Sequence, residues 1–290
     1  MIPRSISVKV VLMVMVYASG LLPASAQSLR YPLAQPYINL SAYSLQQNDA
    51  LSFTGNQAAL AQLKQVGVGI FGVRRFMLKE TSEYTLGAAL PTRLGNLGIQ
   101  LNYGGFRNFN ETRIGLAYAR KLGKFVDVGV QFNYYGYKVP AYNNASALYF
   151  ELGAIMHLSD KLNAGVHVYN PVGGKLSTSA PLNTSAPLSV EKLASVYKMG
   201  IGYDASDKFF IGAEIMKEEN KPVDVVAGFQ YHFAKQFFAK AGFVSGSTMI
   251  YAGAGVGWMN LRLDISSAYH PKLGFSPGVL LIMQFKRKKE

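Results

Sequence analysis

Four histidines and six other charged residues are the groups in this 290-residue chain whose types and positions invite chemistry. His157, His167, His232 and His270 do not form the H-E-x-x-H spacing that sets two imidazoles on one metal. His157, His167 and His232 fall on the polar face of nearby segments. Two uses are open to them, a metal or acid–base site, or hydrogen bonding in a polar interior; the second is expected. Arg113, Glu151, Glu214, Asp224, Arg262 and Asp264 share that inward face. Opposite charges there can pair across neighbouring segments and brace the interior, the alternative being an open ion path. Ser266 and Ser267 lack a G-x-S-x-G turn and a histidine nominated beside them. Residues 252–257, AGAGVG, lack the lysine and helix of a phosphate loop. Gly253, Gly255 and Gly257 are expected instead to admit bulky neighbours or the N-terminal segment. No catalytic, cofactor-binding or metal-ligating residue is assigned, and no enzyme activity is expected.

The elements that position these residues have period two. From Val66 onward, apolar side chains alternate with Gly, Asn, Gln, Tyr, His and a few charges. In one segment Val126, Val128, Val130, Phe132 and Tyr134 oppose Asp127, Gly129, Gln131 and Asn133. In another, Leu148, Phe150, Leu152, Ala154, Met156 and Leu158 oppose Tyr149, Glu151, Gly153 and His157, with Ile155 the exception. Strands are predicted at 66–76, 82–91, 95–105, 111–121, 125–138, 148–158, 161–170, 196–205, 208–217, 222–233, 236–245, 248–258, 260–270 and 275–286. They are about ten residues long, the length a tilted strand needs to cross a bilayer. A soluble sandwich also alternates, but its wet face is normally rich in Lys and Glu.

Composition points the same way. Charged residues make up 16% of the chain, against about 25% in soluble domains. There is no cysteine, so closure of a large sheet is the expected source of rigidity. Residues 1–26 read as a secretory signal: Arg4 and Lys9, an apolar run from Val10 to Leu22, then Ala24-Ser25-Ala26 for cleavage. These two cations belong to a formal charge of +13; export and the lack of a recognition motif argue against nucleic acid as the partner of that charge. Beyond the leader no apolar run is long enough for a transmembrane helix. The expected organisation is a signal peptide at 1–26, an N-terminal periplasmic or plug segment at 27–65, a barrel at 66–286 and a basic tail at 287–290. Within the plug, Gly55-Asn56 followed by Ala58, Ala59, Leu60, Ala61 and Leu63 predicts a short helix.

The connections carry a second pattern. Those at 77–81, 106–110, 139–147, 171–195, 218–221, 246–247 and 271–274 include every long one. Those at 92–94, 122–124, 159–160, 206–207, 234–235 and 259 are all short. Outer-membrane barrels have this asymmetry, with tight periplasmic turns and longer external loops. The loop at 172–194 repeats Ser-Ala-Pro-Leu and is read as a partner contact or a mobile segment. Aromatics near strand ends, among them Phe76, Tyr84, Phe125, Tyr149, Tyr169, Phe238, Tyr251 and Tyr269, are expected to form interfacial girdles.

Residues 48–63, NDALSFTGNQAALAQL, followed by fourteen strands, resemble the FadL-like outer-membrane barrels. Within them the chain is similar to the Bacteroidota proteins of the PorV, PorQ and PorP type, components of type IX secretion. Asn170-Pro171-Val172-Gly173-Gly174 and Ser276-Pro277-Gly278 add to the likeness. Members usually have proline where Gln57 stands. The resemblance implies a barrel in the bacterial outer membrane, with Asn56, Gln57 and Ala58 as the plug motif. It implies a non-enzymatic accessory of protein secretion, with outer-membrane lipid and secretion-machinery proteins as partners. The alternative is a channel or carrier for a hydrophobic ligand.

Overall fold

The computed structural model describes residues 36–139, 144–179, 192–219 and 221–285. The leader, the basic tail and the Ser-Ala-Pro-Leu repeat lie outside them, the repeat's first residue excepted. The described chain forms one antiparallel sheet wrapped into a ring. Its strands are β1 (Val66–Arg74), β2 (Ser82–Pro91), β3 (Asn96–Phe106), β4 (Phe109–Leu122), β5 (Val126–Lys138), β6 (Asn144–His157), β7 (Leu162–Tyr169), the short β8 (Ser177–Ser179), β9 (Val196–Ser206), β10 (Phe209–Glu218), β11 (Val223–Tyr231), β12 (Phe237–Val244), β13 (Met249–Trp258), β14 (Leu261–His270) and β15 (Gly274–Phe285). Each long strand pairs with the next, β7 pairs with β9, and β1 closes on β15 from Val66↔Phe285 to Val73↔Gly278. The short β8 only extends the start of β6. The fold is thus a closed barrel of fourteen long strands.

Closure leaves no long strand with a free edge, which is what a sheet needs in a solvent that offers no hydrogen bonds. The outer face is apolar, as contact with lipid requires. Leu116 (60% exposed), Phe132 (65%), Leu148 (77%) and Met199 (65%) stand on it, while their neighbours Arg113, Gln131, Asn133, Glu151 and Lys198 are buried inside. In water such a belt would be an aggregation surface.

Two expectations are corrected here. Tyr149, Tyr169, Phe238 and Tyr251 are buried inside the barrel rather than standing in a girdle. Nearness to a strand end does not decide orientation; the parity of the residue does. Tyr84, Phe125 and Tyr269 do face outward. The loop asymmetry is also weaker than the sequence suggested. The β3–β4 connection shrinks to residues 107–108 and the β11–β12 turn widens to 232–236, so the contrast rests on 75–81 and 170–195. Those two mark the loop end; the other end, where β1 starts and β15 finishes, is the turn end and corresponds to the periplasmic side of such barrels.

Inside the ring lies the N-terminal segment. Helix α1 (Pro36–Leu40) is followed by 3-10 turns at Ser41–Tyr43, Ser52–Thr54 and Gln57–Gln62. The last is the predicted short helix, started by Asn56, whose Oδ1 accepts from the Ala58 N–H at 3.0 Å.

Candidate functional site: the plugged lumen

The strands make room for the plug by omitting side chains. A Cβ on Gly129 would sit 2.5 Å from the Gln57 carbonyl carbon. One on Gly153 would meet the Asn56 side chain, and one on Gly200 the Tyr43 ring. Leu51 likewise fills the space over Gly69 and Gly87. Glycine on the inner face is therefore the complement of the plug. Gly253, Gly255 and Gly257 are not part of this cradle: Gly255 admits the Phe238 ring and Gly253 lies against Ser266. Ile155, the break in the alternation of β6, is buried against Ala42, Ala58 and Ala59 of the plug.

Polar side chains then fasten the plug to the wall. Asn56 Nδ2 donates to the Val166 carbonyl at 3.0 Å, and Gln57 Nε2 donates to Glu151 at 2.5 Å. Asn96 donates to the carbonyls of Leu60 and Leu63 at 2.7 and 2.8 Å. Asn163 donates to the Tyr43 carbonyl at 3.0 Å, and the Tyr43 hydroxyl to Glu214 at 3.0 Å. Asp204 accepts from Ser44 Oγ at 2.6 Å and the Leu45 N–H at 2.8 Å. On the far wall Arg262 reaches Asp49 at 3.1 Å.

Apart from Asp224 and His232, the charges singled out in the sequence form four groups. Glu151 accepts from Gln57, from Asn133 at 3.0 Å and faces His167 Nε2 at 3.0 Å. A chain of amides leads on through Gln131, Gln100 and Asn102 to Arg113 Nε. His157 bridges Asp127 at 2.9 Å and Asn163 at 2.7 Å. Glu214 pairs with Lys198 at 2.9 Å. Asp264 accepts from Lys240 at 2.6 Å and from two nitrogens of Arg262 at 2.9 and 2.7 Å. Asp224 keeps inward parity but sits at the rim, where it accepts from Ser245 Oγ and the Gly246 N–H. His232 meets Gln230 Nε2 at 3.1 Å, and its ring lies 5.1 Å from Phe238. Among the described residues no three His, Cys, Asp or Glu side chains converge on a metal position. Sequence reading set Asp127 on the polar face without counting it among the inward charges, and passed over Lys198, Asp204 and Lys240. All four have inward parity, so the alternation itself was the available signal.

The lumen has two unlike sides. Over β2–β9 it is amide-rich and charged, and its mouth is covered where Leu176 and Leu193 of the long connection pack on Tyr149 and Tyr169. Asn170, at φ 49°, ties the base of that connection by donating to the Leu193 carbonyl at 2.7 Å. Over β10–β15 and β1 two apolar clusters stand beside the buried charges of Glu214, Lys240 and Asp264 and the half-buried Arg262. Ile38 and Leu51 lie among Phe71, Val73, Tyr251, Ala268, Leu280 and Ile282. Leu40 lies among Phe210, Val226 and Val244, and Met249 packs against both groups. These clusters lead toward a cavity of about 230 Å³ at the turn end, lined in part by Gln47, Asp49, His232, Phe238, Arg262 and Ile282.

No family model matches the chain, and no curated protein does. Solved structures do. The toluene transporter TodX of Pseudomonas putida is similar at a TM-score of 0.60 with 9% identity, over 82% of this chain and 94% of that one. A FadL homologue of Pseudomonas aeruginosa is similar at 0.55 with 11% identity, over 82% and 93%. The fold is therefore that of FadL-like bacterial outer-membrane barrels, and the apolar outer belt agrees with that membrane setting. At this identity the likeness defines the architecture and leaves the cargo to be argued from the lumen. The type IX secretion assignment gains no support from these comparisons.

Proposed function

We propose that this barrel passes small hydrophobic molecules across the outer membrane, with the plug as its closed gate. The observation that carries the reading is the pair of apolar clusters on β10–β15 and β1, which Ile38, Leu40 and Leu51 fill. A path for polar solutes would have no use for such a lining, because a polar solute loses its water there without replacement. In this reading the three plug side chains hold the place of a hydrophobic solute, and withdrawal of the segment exposes the clusters. The named substrate of one similar structure, toluene, is of the same chemical kind.

The test is a tether. The Ala50 Cβ and a Cβ built on Gly67 would lie 3.0 Å apart, near the disulfide range of about 3.5–4.5 Å. In proteoliposomes, the Ala50→Cys/Gly67→Cys protein should take up a small aromatic dye when reduced and lose that uptake when oxidised. Uptake no better than protein-free vesicles, both by the wild type and after deletion of residues 36–63, would end the proposal.

A second reading is kept because the lumen is filled: a non-conducting accessory of type IX-like protein secretion, as the resemblance of residues 48–63 implies. Affinity isolation from native outer membranes separates the two. Co-purified secretion components without bound hydrophobic solute would favour the accessory role.

A further inference from the structure

We infer that the turn end of β2–β5 is a binding surface for the phosphate headgroups of anionic phospholipid. Arg93 in the β2–β3 turn, Arg120 and Lys121 at the end of β4, and Lys124 in the β4–β5 turn are all exposed, with Lys64 beside the start of β1. These strands are neighbours in the sheet, so the cations share one arc of the rim. Tyr118 ties the β2–β3 turn to β4, its hydroxyl donating to the Leu94 carbonyl at 2.7 Å.

The arc is one-sided in charge. Of the acids of this stretch, Glu80, Glu83 and Glu111 belong to the loop end of the barrel, and Asp127, opposite Lys121, is buried on the inner face where it meets His157. None of the five cations makes an ion pair among the described residues. Elsewhere the rims are mixed: Arg75 pairs with Glu83 and Lys221 with Glu218, while Asp160 and Asp207 sit beside Lys161 and Lys208.

Apolar side chains alternate with these cations. Leu94, Leu122 and Phe125 are 77%, 55% and 71% exposed and continue the lipid-facing belt. That arrangement matches a leaflet, with acyl chains covering the apolar groups and headgroups meeting the cations. A soluble acidic protein would meet the cations and leave the apolar belt to lipid, so it fits less of the surface.

The experiment uses the whole barrel in nanodiscs of phosphatidylcholine, with spin-labelled phosphatidylglycerol or phosphatidylcholine reporting the lipid held at the protein surface. One cation at an anionic membrane surface contributes about fivefold to partitioning. A preference for phosphatidylglycerol of about fivefold or more is expected, falling toward parity with added salt. It should vanish in Arg93→Gln/Arg120→Gln/Lys121→Gln/Lys124→Gln. It should persist in Arg93→Lys/Arg120→Lys and in the loop-end variant Arg74→Gln/Lys79→Gln/Lys272→Gln. If the fourfold variant does not fold, the wild-type salt titration and the loop-end variant decide alone. Equal retention of both lipids by the wild type, or an undiminished preference in a folded fourfold variant, overturns the inference. So does binding of a Glu-rich peptide by a wild type that shows no lipid preference, which would assign the arc to an acidic protein.

Discussion

Glu151 shows how much of this lumen hangs on single side chains. It is buried at the centre of the polar side, takes a hydrogen bond from the plug through Gln57 and another from β5 through Asn133, and faces His167. Removing it leaves several buried groups without a partner, each worth about 1–3 kcal/mol. Glu151→Ala is therefore expected to lower stability by about 3 kcal/mol, read as an earlier midpoint in denaturant unfolding in micelles. The Lys198–Glu214 pair is as deeply buried. Breaking one partner of such a pair costs about 3–5 kcal/mol, whereas replacing both with apolar residues is often neutral. Lys198→Met should thus destabilise strongly, and Lys198→Met/Glu214→Leu should recover most of the loss. The Tyr43 hydroxyl, which donates to Glu214, tests the plug's share in this pair: Tyr43→Phe on the double background should have little further effect.

At the scale of the element, each strand is two surfaces with different demands. The outer surface needs greasy side chains; the inner one needs either a polar partner or no side chain at all. Leu116→Arg puts a cation on the lipid face of β4, at a cost of about 2–4 kcal/mol near the midplane, and should reduce the folded fraction on insertion into vesicles. Gly129→Leu acts on the other face. It leaves the ladder of β5 intact but drives a side chain into the backbone at Gln57. The expected result is a folded barrel with a displaced plug, seen as faster proteolysis within residues 36–63 while the strands stay protected. The sequence showed that these glycines belonged to the inner face. It did not show which of them the plug occupies, since Gly129 and Gly255 are alike in strand context and differ only in what lies across the lumen from them.

For the whole molecule the open question is conductance. The plug is fastened to both sides of the ring, to one through Asn56, Gln57 and Asn96 and to the other through Asp49 and Arg262. Deleting residues 36–63 should convert a quiet protein into one with steady single-channel current in planar bilayers. A current already present in the wild type would contradict a closed gate. Strand number, strand limits to within a few residues and the inward parity of the charges were legible from alternation, because a side-chain period of two is a local property of an extended backbone in lipid. The partners of those charges were not. Asp49 and Arg262, or Tyr43 and Glu214, meet across the lumen only after the ring closes and the N-terminal segment turns into it. The division of the interior into an amide-rich side and one that carries the apolar clusters arises the same way, from strands far apart in the chain that closure brings face to face.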